Sequence, residues 1–312
     1  MSMLRSRQNE AERYDVSGKT VFITGAARGI GAAVAQRLHA KGANVALVGL
    51  EPELLQANVE KLGSRAIAIK TDASDYSALQ AAVAETVDRF GGIDVGIANA
   101  GIAFTGPLSS APIEQVERTF AVNLLGVWRT DRALIEEITK RKGYLLNIAS
   151  LAAAFHAPLM GPYATTKAGV EALSNVLRVE LSPSGVSVGC AYFGFIDTDI
   201  VRNSFMQPSA QTLRSEMPSF LAAPAPLSKA VDAIEDGIER RVARLWAPRW
   251  VGPAIALRTL FQPLTERRTL REPERLAAAI RAATETSEMS NSDPLLGVAV
   301  PAKSAESSGV GG

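Results

Sequence analysis

Residues 24–31 read Thr-Gly-Ala-Ala-Arg-Gly-Ile-Gly, and this stretch decides the fold class of the chain. An aliphatic run, residues 19–24, leads into it, and apolar residues at helical spacing follow it. Glycines between a strand and a helix let a diphosphate approach the backbone closely, and free amides at the helix start attract its negative charge. A tight turn that only allows helix packing is the alternative. The motif predicts dinucleotide binding.

The same alternation of short aliphatic runs and longer helical patterns continues along most of the chain. The predicted strands are residues 19–24, 44–48, 66–70, 93–98, 144–150 and 186–192. Such alternation is typical of a parallel sheet with helices on both faces. We therefore predict an α/β fold, a Rossmann-like doubly wound parallel sheet forming a single domain with a helical C-terminal extension.

Composition restricts the class of protein further. The 312 residues are 47% hydrophobic, enough to bury a large core, and 33 basic residues balance 32 acidic ones. A net charge of +1 provides no global field for nucleic acid, so no nucleic-acid partner is predicted. The single cysteine, Cys190, lies in an apolar run and predicts a buried, inert thiol in a reducing compartment. His39 and His156 belong to no cluster with metal-ligand spacing, so we predict no metal site.

Three residues in the middle of the chain have the chemistry of an acid/base site. Lys167 follows Tyr163 by four residues, so both side chains share one face of a predicted helix. A free tyrosine has a pKa of about 10, and we expect the neighbouring cation to lower it until Tyr163 can act as a general acid/base. Ser150, at the end of a predicted strand, is placed to hydrogen-bond a developing oxyanion. An ordinary surface pair is the alternative for Tyr163 and Lys167.

With these motifs the chain resembles the short-chain dehydrogenase/reductase family over about residues 15–240. The matching elements, in chain order, are Gly25/Gly29/Gly31, Asn99-Ala100-Gly101, Asn123, Ser150, Tyr163 and Lys167. The resemblance implies an NAD(P)-dependent oxidoreductase that interconverts a secondary alcohol and a ketone. It also implies that Tyr163 exchanges a proton with the substrate oxygen, Ser150 holds that oxygen, and Lys167 binds the nicotinamide ribose and lowers the tyrosine pKa.

Asn123 is the fourth catalytic candidate. It lies in a strongly helical pattern, where an asparagine amide competes with backbone hydrogen bonds. By the resemblance it holds a water that links Lys167 to solvent, whereas a satisfied core asparagine is the alternative.

The expected cofactor is NAD(H) or NADP(H), with the preference open. Gly49 stands where relatives that use NAD often carry Asp, Glu51 follows nearby, and Arg28 is able to contact a 2′-phosphate. The resemblance places Asp72 near the adenine, with a helix cap as its alternative role, and Thr198 at the nicotinamide carboxamide. The complete set of expected cofactor contacts is Gly25, Arg28, Gly29, Ile30, Gly31, Leu50, Glu51, Asp72, Ala73, Asn99, Ala100, Gly101, Tyr163, Lys167, Phe193, Gly194, Ile196 and Thr198.

The chain departs from the family pattern in two places. Phe193-Gly194 replaces the usual Pro-Gly, and Phe193 and Phe195 either wall the pocket or pack beneath it. Beyond about residue 245, the chain has two tryptophans (Trp246, Trp250), a helical stretch 257–261 with the apolar residues Leu257, Leu260 and Phe261, and the pair Arg267-Arg268. They indicate either a peripheral membrane contact or a helical extension packed on its own domain or on a sister subunit.

Four segments are predicted. Residues 1–14 form a flexible N-terminus, residues 15–245 a catalytic domain with a substrate lid at about 202–227, residues 246–286 a helical extension, and residues 287–312 a disordered tail. Apolar lid residues predict an apolar substrate, unless they form the lid's own packing face; they are Phe205, Met206, Met217, Phe220 and Leu221.

The leading functional hypothesis is thus an oxidoreductase of an apolar alcohol or ketone. We expect it to be cytoplasmic, since the chain has neither a leader nor an apolar run long enough to span a membrane. A homodimer or homotetramer is implied by the resemblance. Two alternatives stay open: a cofactor-binding sensor or scaffold that uses the extension to engage a partner or membrane, and an enzyme that racemises or dehydrates its substrate with retained cofactor.

Overall fold

The computed structural model describes residues 13–207, 209, 211 and 223–292, with the backbone alone from 286 onward. Residues 1–12 of the predicted flexible N-terminus and residues 293–312 of the predicted tail lie outside the described residues. The predicted lid residues Met217, Phe220 and Leu221 lie outside them as well.

Seven parallel strands form one sheet in the order β3-β2-β1-β4-β5-β6-β7. They are β1 Thr20–Thr24, β2 Asn44–Gly49, β3 Ala66–Lys70, β4 Val95–Ala98, β5 Tyr144–Ile148, β6 Ser187–Phe193 and β7 Arg244–Ala247. This arrangement confirms the predicted doubly wound sheet. The edge strand β7 was not predicted, because its four residues, Arg-Leu-Trp-Ala, are too short a run to indicate a strand by themselves.

The helices cover both faces of the sheet. They are α1 Gly29–Ala40, α2 Pro52–Leu62, α3 Tyr76–Phe90, α4 Ile113–Phe120, α5 Gly126–Arg141, α6 Gly161–Glu180, α7 Asp199–Met206, α8 Leu227–Glu239, α9 Val251–Ala256, α10 Arg258–Leu270 and α11 Pro273–Ser292. Helices α1, α2 and α8 pack on one face, and α3, α5 and α6 on the other. Successive strand residues alternate between these layers: Phe22 contacts the α3–α5–α6 side, while its neighbours Val21 and Ile23 contact the α1–α2–α8 side.

The strand order reverses between β1 and β4, which creates a crevice at the carboxyl edge of the sheet. The glycine motif follows β1, the Asn99-Ala100-Gly101 segment follows β4, and Ser150 follows β5. Parallel strands end at the same edge, so the fold brings these segments together.

Within the described residues up to 292, helices α9 to α11 follow β7 and form the helical C-terminal region. The predicted limit between catalytic domain and extension, after residue 245, falls within β7, and the four-segment division stays a prediction. Among the described helices, none combines the length and apolar character needed to cross a membrane.

Candidate active site

Ser150, Tyr163 and Lys167 meet at the carboxyl edge of the sheet. The Lys167 Nζ donates a hydrogen bond of 2.7 Å to the carbonyl oxygen of Ile148, the last residue of β5, and lies 5.7 Å from the centre of the Tyr163 ring. The Ser150 hydroxyl interacts with the Tyr163 phenol and accepts a 3.1 Å hydrogen bond from the Ala152 N–H. A hydroxyl, a phenol and an ammonium group therefore share one small volume.

Burial governs the ionisation of these groups. It raises the pKa of Tyr163 above its usual 10, and the hydrogen bond with Ser150 offsets only part of that rise. Burial also lowers the pKa of Lys167 to about 8. The structure therefore raises the pKa of Tyr163 where a lowering by Lys167 was expected, because loss of hydration dominates at the buried phenol.

Asn123 is fully buried in a π-helical turn, Ala121–Leu125, between α4 and α5. Its Oδ1 accepts a 2.8 Å hydrogen bond from the Ile102 N–H, and its Nδ2 donates a 2.8 Å bond to the Ile102 carbonyl. Both amide atoms thus have backbone partners, as in the alternative of a satisfied core asparagine. The predicted water relay stays a prediction.

Gly101 lies close to the side chains of both Asn123 and Lys167. A Cβ atom at this position would lie 3.4 Å from the Asn123 Oδ1 and 3.7 Å from the Lys167 Nζ. The segment after β4 therefore passes directly beside two of the four predicted catalytic residues.

The glycine motif packs tightly against the segment after β4. A Cβ on Gly31 would approach the Gly25 carbonyl oxygen to 2.4 Å, and one on Gly25 would approach the Ala100 Cα to 2.8 Å. Asn99 fixes this arrangement, since its Nδ2 donates 3.0 Å hydrogen bonds to the carbonyls of Thr24 and Gly25. The side chain of Asn99 thus supports the loop that is expected to hold the cofactor.

The start of α1 fits a dinucleotide diphosphate. Gly29 has a φ of +58°, and a Cβ there would meet only the Thr198 Cγ2, at 3.8 Å, so space remains between the loop and the segment after β6. The N-cap residue of α1, Arg28, makes no capping hydrogen bond with its side chain, and the first turn of the helix carries no acidic residue. Uncapped amides facing an open space favour an anion. Ile30 follows Gly29 in this turn and is half-buried.

The residues expected at the adenosine lie at the ends of β2 and β3. Arg28 and Glu51 form an ion pair with each other, and the adjacent Leu50 is exposed. Asp72 does not cap α3, because its Oδ1 accepts hydrogen bonds from the Ser74 N–H and hydroxyl, at 2.8 and 2.7 Å. The cap is Asp75, which accepts from the Ala78 N–H at 3.0 Å. The buried Ala73 lies against Gly126 at the start of α5.

The segment after β6 faces the glycine motif. Phe193 is buried in the core, and its carbonyl accepts a 3.4 Å hydrogen bond from the Ser150 hydroxyl, so its side chain packs instead of lining a pocket. Ile196 is buried, and its carbonyl accepts a 3.3 Å hydrogen bond from the Thr198 hydroxyl. Gly194 lies against Trp250 and Val251 of the C-terminal region.

The predicted lid contacts this segment near both of its ends. The Ala225 N–H donates a 2.8 Å hydrogen bond to the Phe195 carbonyl, and Arg202 forms an ion pair with Asp197. The Phe195 ring meets the edge of Phe205, on α7, with 4.9 Å between ring centres. Met206, the last residue of α7, is exposed.

Several supporting residues were missed by the sequence reasoning. The Thr24 hydroxyl accepts hydrogen bonds from the N–H groups of Asn99 and Ala100, at 3.0 and 3.2 Å. Ile102 and Ile148 act through backbone atoms, which no side-chain pattern reveals. Of these three residues, only Thr24 could have been found from the sequence, as a polar side chain at the end of β1. Elsewhere, no three His, Cys, Asp or Glu side chains within the described residues are grouped so as to hold a metal ion.

Comparisons with known proteins agree with this geometry. The family described as short chain dehydrogenase matches residues 19–209. The chain is 34% identical to 3beta-hydroxysteroid dehydrogenase 1 of Eggerthella lenta over 63% of this chain and 78% of that protein. It is 31% identical to oxidoreductase UcpA of Salmonella typhimurium over 71% and 86%, and 35% identical to L-rhamnose 1-dehydrogenase (NAD(P)(+)) of a Sphingomonas strain over 59% and 75%.

A solved structure shows the same fold. It is a short-chain dehydrogenase/reductase from Burkholderia phymatum in complex with NAD, with a TM-score of 0.71 and 22% sequence identity over 81% of this chain and 96% of that one. The chain belongs to the short-chain dehydrogenase/reductase family. It is an oxidoreductase of the class that acts on CH–OH and C=O groups with NAD(H) or NADP(H).

Proposed function

We propose that the protein interconverts an apolar secondary alcohol and its ketone, with Tyr163 as the general acid/base. The observation that carries the proposal is the meeting of Tyr163, Ser150 and Lys167 beside the open edge of the glycine motif. When bound, the nicotinamide supplies or accepts the hydride. The chain then needs one group to hold the substrate oxygen and one to exchange its proton.

Each side chain has a role that its surroundings support. Ser150 orients the substrate oxygen through its hydroxyl, which already interacts with the phenol. Tyr163 keeps its proton at neutral pH because burial raises its pKa, and the protonated phenol is the form that donates to a carbonyl oxygen. Lys167 binds the ribose, and Asn123 holds the segment after β4 in place beside it.

The apolar character of the substrate is supported by aromatic side chains around the site. Phe195 and Phe205 contact each other on the α7 side. Phe155, in the loop after Ser150, faces Phe261 of α10, with 6.5 Å between ring centres. Aromatic and aliphatic linings suit a hydrophobic alcohol.

A second copy of the chain is the proposed protein partner, in a cytoplasmic homodimer or homotetramer. Leu125 and Trp128, next to and on α5, are exposed, and so are Val176 and Val179 on α6. Large apolar groups on two neighbouring helices support burial against another subunit. The measurement that checks this is the mass in solution.

A peripheral membrane contact through the extension is a further proposal. Leu257, Leu260 and Leu264 are exposed along the start and first half of α10, and the exposed Arg267 follows them. Apolar and basic residues on one helix favour an anionic lipid surface. Flotation with anionic liposomes tests it: wild type is expected to float and Leu260→Glu to stay behind, whereas wild type in the soluble fraction contradicts the contact.

The function is tested by following nicotinamide absorbance with a panel of apolar alcohols and ketones and all four cofactor forms. We expect turnover by wild type and by the control Tyr76→Phe, and a loss of about 10²–10⁴-fold in Tyr163→Phe. Full activity of Tyr163→Phe contradicts its assigned role. If no panel member is turned over, the catalytic proposal fails and the sensor or scaffold alternative gains.

A further inference from the structure

The C-terminal helices pack against the loop that connects Ser150 to Tyr163. The Gln262 side chain, on α10, accepts a 3.0 Å hydrogen bond from the His156 N–H. On α11, Ala279 and Ala283 are buried together with Leu159 in a small apolar cluster separate from the main core. Two helices beyond β7 therefore touch the loop at several points, including the aromatic contact between Phe155 and Phe261.

An ion pair ties the same region to the catalytic helix. Arg258, the first residue of α10, contacts Glu171 of α6 at 2.7 Å, and the Glu171 side chain is only 9% exposed. Glu171 follows Lys167 by four residues and Tyr163 by eight, so all three share one face of α6. A nearly buried carboxylate needs a partner, and Arg258 provides it.

Leu159 shows that the loop is held in a strained shape. Its φ is +67°, a left-handed conformation that a leucine rarely adopts, and its side chain is buried. The Leu159 carbonyl accepts a 2.8 Å hydrogen bond from the Gly106 N–H, while its side chain packs against the alanines of α11. Such a conformation persists only where the surroundings enforce it, and here part of the enforcement comes from the extension.

We propose that α10 and α11 form a fixed wall of the substrate site, which sets the shape of the loop 154–160 and so selects apolar alcohols and ketones by their bulk. The wall consists of Arg258, Phe261, Gln262, Ala279 and Ala283. The inference rests on the proposed function, since it assigns the substrate selection of the same site. These side chains act by positioning the loop, and none of them handles the reacting atoms.

The attachment is tested first without any substrate, by hydrogen–deuterium exchange of the full chain. Ala279→Leu overfills the contact with Leu159, and Arg258→Gln removes the ion pair with Glu171. Matched controls are Ala278→Leu and Arg267→Gln, which alter exposed residues next to Ala279 and on α10. We expect the first two variants to exchange residues 151–160 at least several-fold faster than wild type, and the controls to match wild type.

Unchanged exchange of residues 151–160 in both Arg258→Gln and Ala279→Leu contradicts the proposal that α10 and α11 hold the loop. Should Ala279→Leu fail to fold, Arg258→Gln decides alone, because it introduces no extra volume. This readout needs neither turnover nor cofactor, so it stands whether or not the proposed function holds.

Selection is tested by comparing kcat/KM for a bulky and a small alicyclic alcohol. Phe261→Ala widens the wall, and we expect it to raise the bulky-to-small ratio about tenfold, mainly through KM, with the Kd for NADH unchanged. Leu264→Ala, an exposed residue on the same helix, is the control and should keep the wild-type ratio.

A merely structural role of Phe261 would lower both rates equally and leave their ratio at the wild-type value, which contradicts the wall. Absence of turnover by wild type on every alcohol and ketone is a different result, because it contradicts the proposed function. The exchange experiment then still tests whether α10 and α11 hold the loop 154–160.

Discussion

The Lys167 ammonium group donates a hydrogen bond to the carbonyl oxygen of Ile148, 2.7 Å away, and this bond joins α6 to the end of β5. Ile148 precedes Ser150 by two residues, so the hydrogen bond holds the cation near Ser150 at the carboxyl edge of the sheet. It also places the cation in a buried environment that lowers its pKa to about 8. The position of Lys167 therefore serves the site at a cost to the stability of the fold.

Lys167→Met should make the fold more stable at neutral pH by roughly 1–3 kcal/mol, because it removes a buried charge at the loss of one hydrogen bond. The folded-state pKa of Lys167 is below its unfolded value of 10.5, so wild-type stability rises as pH increases from about 8 to 10.5. Urea unfolding at several pH values should show the advantage of the variant shrinking over that window. An equal or lower stability of the variant at pH 7 contradicts the expectation.

The burial of Asp131 predicts a second effect of pH on stability, with the opposite sign to that of Lys167. This residue is fully buried on α5, accepts a 2.8 Å hydrogen bond from the Asn147 Nδ2, and burial raises its pKa to about 7. Since that pKa exceeds the unfolded value, the protonated acid stabilises the fold below about pH 4, and this contribution is lost as pH rises to 7. The free energy of unfolding of Asp131→Asn, relative to that of wild type, should therefore rise by about 2–4 kcal/mol between pH 5 and pH 8.

The matched control is Asp88→Asn, which makes the same substitution at an exposed position of α3. Parallel stability curves for wild type and Asp131→Asn between pH 5 and pH 8 would contradict a raised pKa at Asp131.

Glu51→Gln should shift cofactor affinity toward NADPH. The Arg28–Glu51 ion pair occupies the one arginine of the glycine motif, so removing the carboxylate frees the guanidinium for a 2′-phosphate. We expect the ratio of NADPH to NADH affinity to rise about tenfold, as measured by nicotinamide fluorescence. Glu53→Gln, an exposed neighbour, is the control. An unchanged ratio places the adenosine ribose away from this pair.

Asn123→Ala should destabilise the protein by about 1–3 kcal/mol, because it leaves the half-buried N–H and carbonyl of Ile102 without their partner. It should also lower turnover, since the segment beside Lys167 loses its anchor. Chemical unfolding and turnover measured on one preparation check both effects. Asn203→Ala, at an exposed position of α7, should change neither.

The sheet and the proximity of Tyr163 to Lys167 could be predicted because local patterns encode them. Apolar strands buried on both faces read as continuous runs, and the glycine motif marks the junction of β1 and α1 directly. Tyr163 and Lys167 share a helix face, so their spacing alone brings them together.

The remaining features depend on contacts between distant parts of the chain. Nothing near Glu171 in the sequence indicates that Arg258 is its partner. Asn123 and Lys167 bond to backbone carbonyls, and any residue type supplies a carbonyl. The rise in the Tyr163 pKa was missed for a related reason: the spacing showed the cation, while the burial of the phenol depends on the folded surroundings.

The central claim is that Tyr163 exchanges the proton with the substrate oxygen, and single-turnover reduction of a ketone tests it most directly. Wild type and Tyr163→Phe are compared with the Kd for NADH measured on the same samples. We predict equal NADH binding within about threefold and a rate lower by about 10²–10⁴-fold in the variant. A Tyr163→Phe enzyme that binds NADH and reduces the ketone at the wild-type rate would contradict the claim.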